Sequence, residues 1–466
     1  MSRRFTLLLA VAALLVAPLA SANDLLQLYQ QALTQDQTLA AAEHARDAAV
    51  EAKPQAWAAV LPQISGSSGI QRQEINSSGQ SVIGTSVIHS NFSTRWTWSV
   101  NFDDTLFSFA DFRSIAQSDV QVAAAENTFL GAQQDLILRV AQAYFGVLSA
   151  KDTVRADVAA RNAFKAELDE ARARFKVGLP TITDVQQAQA SYDSSRATLI
   201  GDRRALANAH QALGVIVGHD VAQLQPLMTD IPLVGPSPAT PQAWVAKAAD
   251  DNFDVRNAQL QWDIAQREVG IQRAERYPTL DLQGAVGRSA ITHLPTTNQG
   301  SYVIGLSLDL PLFEGGLIRA RVRQATATAA QNQSQYQLAR RTNAQQVRDA
   351  YRGVISGIAS VKAFKQAVAS SRTALQSTQM GFRVGTQTET DVLTALQNLD
   401  TALKSYYQSR YDYLDAVLSL KQLSGQLTVA DLQRVDALLN RDTDNAPPQF
   451  PSVLPAAHRP PARPSA

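Results

Sequence analysis

The chain has 466 residues, no cysteine, and 42 Lys and Arg against 41 Asp and Glu, a formal net charge of +1. The lack of thiols excludes disulfides, thiolate metal sites, a thiol nucleophile and a lipid-bearing cysteine at a mature amino terminus. The balanced charge creates no net field that would recruit nucleic acid or a strongly acidic partner.

Arg3 and Arg4 precede an apolar stretch from Phe5 to Val16, followed by Pro18 and Ala20-Ser21-Ala22. This is the pattern of a secretory signal peptide over residues 1–22, with cleavage expected after Ala22. The apolar stretch is shorter than the roughly 20 residues a membrane helix needs, and no later segment supplies that many without polar interruption. Any bilayer crossing must therefore use strands.

By length alone the chain would hold about three globular domains, but its landmarks recur in order. Phe175-Lys176-Val177-Gly178 returns as Phe382-Arg383-Val384-Gly385, a shift of 382 − 175 = 207. Tyr144 returns as Tyr351 and Asp184 as Asp391 at the same shift, Leu106-Phe107 as Leu312-Phe313 at 206, and Leu61-Pro62 as Tyr277-Pro278 at 216. The chain is a duplicated unit, with repeats at about 23–217 and 241–425. Each unit reads as a helix, a strand pair, a very long helix, a tight turn and a return helix.

The first helix is expected from about Asn23 to Ala59, ending where Pro62 disfavours helix in the residue before it. Its counterpart runs from about Pro241 to Arg276. Strands follow near 62–104 and 278–311, where the period changes to two. Large apolar residues alternate with polar or small ones in Arg95-Trp96-Thr97-Trp98-Ser99-Val100-Asn101-Phe102 and again from Ser301 to Leu310. Apolar-out, polar-in strands of about ten residues suit a membrane barrel; a half-buried sheet on a soluble core shows the same alternation. Trp96, Trp98, Phe107, Phe109 and Phe112 gather near the strand-to-helix transition, where an interfacial aromatic belt would lie, although core packing would also use them. The polar segments Ser77–Asn91 and Arg288–Gly300 are expected as surface loops.

Two proline-free stretches, about Asp111–Lys176 and Leu317–Arg383, would each extend roughly 100 Å as helix. Val347, Tyr351, Val354, Ile358 and Val361 step by four and three, a coiled-coil seam that drifts on to Phe364, Val368, Leu375 and Phe382. Both stretches end at a Val-Gly turn, with Gly178 and Gly385 at the left-handed cap position. The return helices are expected to open with capping boxes at Thr181–Asp184 and Thr386–Glu389. The hairpin tips then fall near 177–181 and 384–388. Segments near 218–240 and 425–440 are neither strand nor long helix and would form a collar. Residues 441–466, with Pro447-Pro448 and Pro460-Pro461, read as a disordered tail.

Four strands cannot close a membrane barrel, because an open edge cannot face lipid. Two chains would give eight strands, filled by their own side chains, whereas three give twelve with room for a lumen. The expected fold is mainly α with a membrane β-barrel: four strands per chain, twelve in a trimer, above a long periplasmic α-helical barrel.

The signal peptide, the duplication, Leu308-Asp309-Leu310-Pro311-Leu312-Phe313-Glu314-Gly315-Gly316, and above all Phe382-Arg383-Val384-Gly385-Thr386 with Asp391-Val392-Leu393 resemble the TolC family of outer-membrane efflux channels. The resemblance runs to about residue 430. It implies a homotrimeric passive duct in outer-membrane lipid, driven by an inner-membrane ABC or RND-type transporter through a periplasmic adaptor, for type I secretion or multidrug efflux. No enzyme activity, cofactor, metal or nucleic-acid partner is implied. Without an anchoring cysteine the chain looks more like the TolC branch than the lipidated efflux branch.

The resemblance also nominates a periplasmic aperture. Aspartates after the Val-Gly turn ring the narrowest point in that branch, and Asp391 matches the first position. A first-turn aspartate complementing the helix dipole explains the same residue. Thr394 stands where the second aspartate is expected. Thr183 and Asp184 match the acceptors of an inter-hairpin lock, but its donor positions hold Phe382, without a hydroxyl, and Gln387, without a charge. Docking of the adaptor would fall on the tips: Val177, Gly178 and Leu179 on one hairpin, Val384, Gly385 and Thr386 on the other. Both glycines also read simply as turn formers.

Arg319, Arg321 and Arg323 form a basic stripe that a solvated helix face explains. His44, His89, His210, His219, His293 and His458 show no metal-ligand spacing. A trimeric adhesin or stalk is the alternative architecture, though it would place its barrel segment at the carboxyl terminus, whereas the strand pairs here come early in each repeat. A periplasmic enzyme is a more distant alternative.

Overall fold

The computed structural model describes residues 24–80, 86–177, 181–221, 223–292 and 298–439. The expected signal peptide, the tip residues Gly178 and Leu179, His293, His458 and the Pro-rich tail lie outside the described residues. In chain order, α1 (Leu25–Gln35), α2 (Gln37–Val50) and α3 (Ala52–Ala58) lead to β1 (Gln63–Gln80) and β2 (Ser86–Phe107). The long α4 (Phe109–Lys176) and its return α5 (Ile182–Val217) follow. The second half repeats the order with α6 (Pro241–Asp251), α7 (Phe253–Ala274), β3 (Thr279–Thr292), β4 (Asn298–Asp309), α8 (Leu317–Arg383) and α9 (Glu389–Leu423), and α10 (Val429–Asp436) ends it.

The leading helix of each repeat is broken, where the sequence suggested one continuous run. Asp36 stops α1 and caps α2, its Oδ1 accepting from the backbone N–H of Thr38 at 2.7 Å and Leu39 at 3.1 Å. Asn252 does the same between α6 and α7, accepting from Val255 at 3.0 Å. The two breaks are equivalent, since 252 − 36 = 216 is the shift already seen between the prolines that end these helices. Short polar side chains compete with the backbone for hydrogen bonds and so favour caps over helix interiors. Arg139 of α4 also donates to Asp36 at 2.7 Å, fixing the first break onto the long helix.

The four strands form one antiparallel sheet in the order β1-β2-β3-β4. Its register places Ile64, Phe102, Gly284 and Ile304 in one row and Gly66, Val100, Val286 and Tyr302 in another, all on one face. The opposite face carries Ser67, Ser99, Gly287 and Ser301, and Gly69, Thr97, Ser289 and Gln299. Ser67 and Ser99 share a hydrogen bond there, and Thr105 donates to Asp281 at 2.9 Å. Among the described residues no helix covers the apolar rows: Ile304, Leu306 and Leu308 are 67–74 % exposed. A half-buried sheet on a soluble core is therefore wrong for this chain, because its apolar face would be packed.

The strands also run further than their polar ends suggested. β1 and β2 stay paired out to Gln80 and Ser86, whereas among the described residues β3 joins β2 from Thr94 inward. The segments expected as loops are thus largely ladder, and one hairpin of the sheet is much longer than the other. At the opposite end, Phe107 meets Phe112 and Phe109 meets Tyr277 edge-on, with the Arg113 guanidinium over the Phe109 ring. Leu312 and Phe313 project there almost fully exposed, as an interfacial belt requires.

The helices bury two cores. The larger centres on Leu25, Leu28, Tyr144, Phe145, Leu148 and Leu213, where the collar segments wrap the bundle. Each such side chain contributes about 1.5–3 kcal/mol by leaving water. The expected seam of α8 is present as a seven-residue step, with Val347, Val354 and Val361 buried and Tyr351 and Ile358 half-buried beside them. Equivalent tyrosines pin the connecting segments: Tyr144 donates to the Gln225 carbonyl at 2.8 Å and Tyr351 to that of Ala239 at 2.5 Å. The collar closes where Leu227 bridges Leu439. Asp436 of α10 also accepts from the backbone N–H of Leu25. The second core, around Phe164, Leu168, Leu375, Leu396 and Leu399, lies toward the tips and joins the two hairpins.

Candidate functional site

The tips are the ends of two helical hairpins, α4–α5 and α8–α9. In the second, Gly385 adopts φ +82°, and a Cβ there would meet nothing within 4 Å. Its conformation closes α8: Gly385 N–H donates to the Phe382 carbonyl and Thr386 N–H to that of Gly381. Thr386 turns its hydroxyl onto the same Gly381 carbonyl at 3.1 Å, so it finishes α8 and does not start α9. The second capping box accordingly lies at Thr388–Asp391, two residues beyond the expected Thr386–Glu389. It is the counterpart of Thr181–Asp184, since 388 − 181 = 207.

Both boxes are complete. Asp391 Oδ2 accepts from the Thr388 N–H at 2.8 Å and hydroxyl at 2.7 Å, while Thr388 Oγ1 accepts from Asp391 N–H at 3.2 Å. Asp184 and Thr181 make the same three bonds at 2.9, 2.9 and 3.4 Å. The Thr388 backbone and hydroxyl hydrogen bonds hold the Asp391 carboxyl below its usual value. Asp391 therefore serves as a first-turn cap, as dipole chemistry suggested, and remains a solvent-exposed anion. Thr394 lies one turn further on, exposed, its hydroxyl donating to the Thr390 carbonyl at 2.8 Å.

The other nominated positions are near one another without forming a lock within the protomer. Thr183 is exposed beside Asp184. Phe382 receives the Arg174 guanidinium of the first hairpin over its ring, 4.4 Å from the centroid, a cation–π contact of the kind worth about 0.5–1 kcal/mol at exposed sites. An aromatic ring there binds the neighbouring hairpin through its face, where a tyrosine would use its hydroxyl. The Gln387 side chain folds over Gly381, where a Cβ would collide with it. Val177 and Val384 are 71 % and 75 % exposed, two apolar side chains held into solvent at the extremity of each hairpin.

One pair of residues near the tip was invisible in the sequence. Glu389 opens α9 in a first turn that should be wet, yet it is 5 % exposed; Glu167 of α4 is 2 % exposed. Burial pushes each carboxyl up to about 7. Among the described residues no cluster of His, Asp or Glu is arranged to hold a metal ion, and no helix is long and apolar enough to cross a membrane.

Two hairpins bearing equivalent caps, below an uncovered apolar-and-polar sheet, agree with comparisons to known proteins. The model of the outer membrane efflux protein family matches residues 28–219 and 244–426, one match per repeat. The chain belongs to the outer membrane efflux protein family. It is 31 % identical over 421 residues to the outer membrane protein TolC of Vibrio cholerae, covering 89 % of this chain and 94 % of that protein. It is 28 % identical over 441 residues to the alkaline protease secretion protein AprF of Pseudomonas aeruginosa, covering 94 % and 92 %. The fold is that of the outer membrane protein VceC of Vibrio cholerae, with TM-score 0.70 at 22 % identity over 86 % of this chain and 96 % of that one.

As a family member the chain is an outer-membrane exit duct with its helical tunnel in the periplasm, and the family is one of channels, not of enzymes. The sheet leaves β1 and β4 as free edges, and three such sheets joined edge to edge would close into twelve strands with room for a lumen. The wide exposure of apolar rows on the isolated chain is then the lipid-facing band of the barrel.

Proposed function

We propose that this duct passes proteins or small molecules delivered by an inner-membrane ABC or RND-type transporter, and that the hairpin tips are both its gate and its docking site for a periplasmic adaptor. Repeats at about 23–217 and 241–425 form the channel. The observation that carries the reading is the construction of the tips: exposed Val177 and Val384 at the extremities, each followed by a helix whose start is fixed by a Thr-Asp capping box. Apolar side chains presented on rigid caps suit docking of another helical hairpin, with Gly385 and Thr386 completing the surface of the second tip. Similarity to a protease secretion protein over nearly the whole chain favours protein cargo.

In a trimer the exposed Asp391 carboxylates face inward around the axis, where three like charges favour cations and repel one another. Thr394, Thr183, Asp184, Phe382 and Gln387 surround that ring. Single-channel recording in planar bilayers tests the assignment with two variants. Asp391→Asn keeps a capping oxygen but removes the charge, and should lower cation preference. Thr388→Ala keeps the charge but removes the cap, and should broaden the distribution of conductance levels. Unchanged ion preference in Asp391→Asn sinks the aperture role. Insertion of bulky residues at Val177 and Val384 should abolish export while trimers persist; full export by the double variant refutes tip docking.

A further inference from the structure

Between the two hairpins of one protomer, just inside the tips, two glutamates are enclosed on facing helices. Glu167 comes from α4 and Glu389 from the first turn of α9, and α4 packs along α9 where the hairpins meet. Glu167 Oε1 accepts from Gln379 Nε2 of α8 at 3.3 Å. Glu389 Oε1 is buried without a hydrogen-bond partner.

The charges facing this pair can be named by helix. From α4 come Glu170 and Arg174, which pair at 3.8 Å, the Arg174 guanidinium also lying over Phe382. From α5 comes Asp184, spent on its own cap. From α8 comes Arg383, whose charge reaches Glu167. Four carboxylates thus meet two guanidiniums, and Arg174 is shared between Glu170 and the Phe382 ring. The start of α9 favours an anion at Glu389 through the helix dipole, but enclosure and the neighbouring Glu167 and Glu170 outweigh it.

We propose that Glu167 and Glu389 form a proton-dependent latch between the two hairpins of each protomer, closed when the pair carries a proton and sprung when both are ionised. This rests on the tips being the gate of the duct. A protonated carboxyl can donate within the seam and satisfy an orphaned oxygen; two carboxylates in a dry seam repel and demand water, which the seam admits only by parting. Because the charged forms are disfavoured by enclosure, ionisation falls near neutral pH. The tip would loosen as pH rises through about 7, the value to which both carboxyls are pushed.

The test uses the full-length trimer. The chain has no cysteine, so Val177→Cys and Val384→Cys accept spin labels without background, and pulsed dipolar spectroscopy reads the distances between tips from pH 5.5 to 8.5. The unsubstituted latch should give a distribution that widens with a midpoint near 7. Glu389→Gln and Glu167→Gln, which mimic the protonated pair, should stay narrow throughout, and Glu389→Asp should retain a transition. Distances independent of pH in the labelled parent, or an identical transition in both Gln variants, would overturn the latch. Conductance is recorded on the same proteins: a protein that never conducts overturns the gate reading, while the distance readout still decides the latch.

Discussion

Alanine at Gly425 should be far more damaging than alanine at Gly385, although both glycines hold a left-handed backbone, at φ +72° and +82°. That conformation costs an L-residue roughly 1–2 kcal/mol. At Gly385 nothing else is added, because a Cβ would enter open space. At Gly425 the Cβ would fall onto the backbone carbonyl of Asp251, which must move. Asp251 is the last residue of α6, and the adjacent Asn252 donates to the Leu423 carbonyl at 3.0 Å. Shifting it adds about 1–3 kcal/mol of overpacking and threatens a hydrogen bond worth about 1 kcal/mol. The expected totals are about 1–2 kcal/mol at Gly385 and about 3–6 kcal/mol at Gly425. Thermal scans of purified trimers, read by loss of the folded trimer on gels and by circular dichroism, should rank native, then Gly385→Ala, then Gly425→Ala with a clear gap. Coincident curves for the two variants would refute the claim that the Asp251 backbone occupies that space.

Lys404 binds both Asp157 and Asp400, side chains only 3 % and 6 % exposed. Lys404→Met should cost about 3–5 kcal/mol by leaving buried carboxylates uncompensated, and adding Asp157→Asn with Asp400→Asn should recover much of it in the same thermal scans. Tyr144→Phe removes the hydroxyl that satisfies the Gln225 carbonyl and should lower stability by about 1 kcal/mol, measurable by denaturant titration; equal stability would mean water replaces the bond. Burial opposes the Asp36 charge, but Arg139 and the N–H groups of Leu39 and Thr38 outweigh it and hold the carboxyl below its ordinary value. Its stabilisation is present above the unfolded carboxylate pKa and is lost as pH falls through the lower folded value. Asp36→Asn should therefore flatten the acid limb of stability against pH, and an unaltered limb would assign acid sensitivity elsewhere.

The long helices and their turns were legible because proline-free runs and Val-Gly landmarks recur at a constant shift. That shift also pointed to the second capping box: Thr181 and Asp184 map onto Thr388 and Asp391, whereas local spacing alone favoured Thr386 and Glu389. The breaks at Asp36 and Asn252 lie in short polar runs, Thr34–Thr38 and Asp250–Asn252, which read as the solvent face of one helix until the caps they make, and at Asp36 the bond from Arg139, are seen. Glu389 was hidden for the opposite reason. Nothing in a polar tip sequence signals that its first-turn glutamate is enclosed by a helix more than 200 positions away. The alternation in Tyr302–Leu310 revealed the strand but not what it faced; the exposure of Ile304, Leu306 and Leu308 shows that no described helix packs on that face.

The unequal lengths of the two strand pairs give the assembly an uneven crown. Among the described residues, Ser86–Ser93 of β2 pair with β1 and with no residue of β3, a ribbon of roughly 25 Å at about 3.3 Å per residue. In the assembly such ribbons rise from the rim around one opening, held among the described residues by the β1–β2 ladder. They are the part of the duct that the outside world meets first. Substitutions in those fingers would leave the four paired strands beneath, from Thr94 inward, undisturbed.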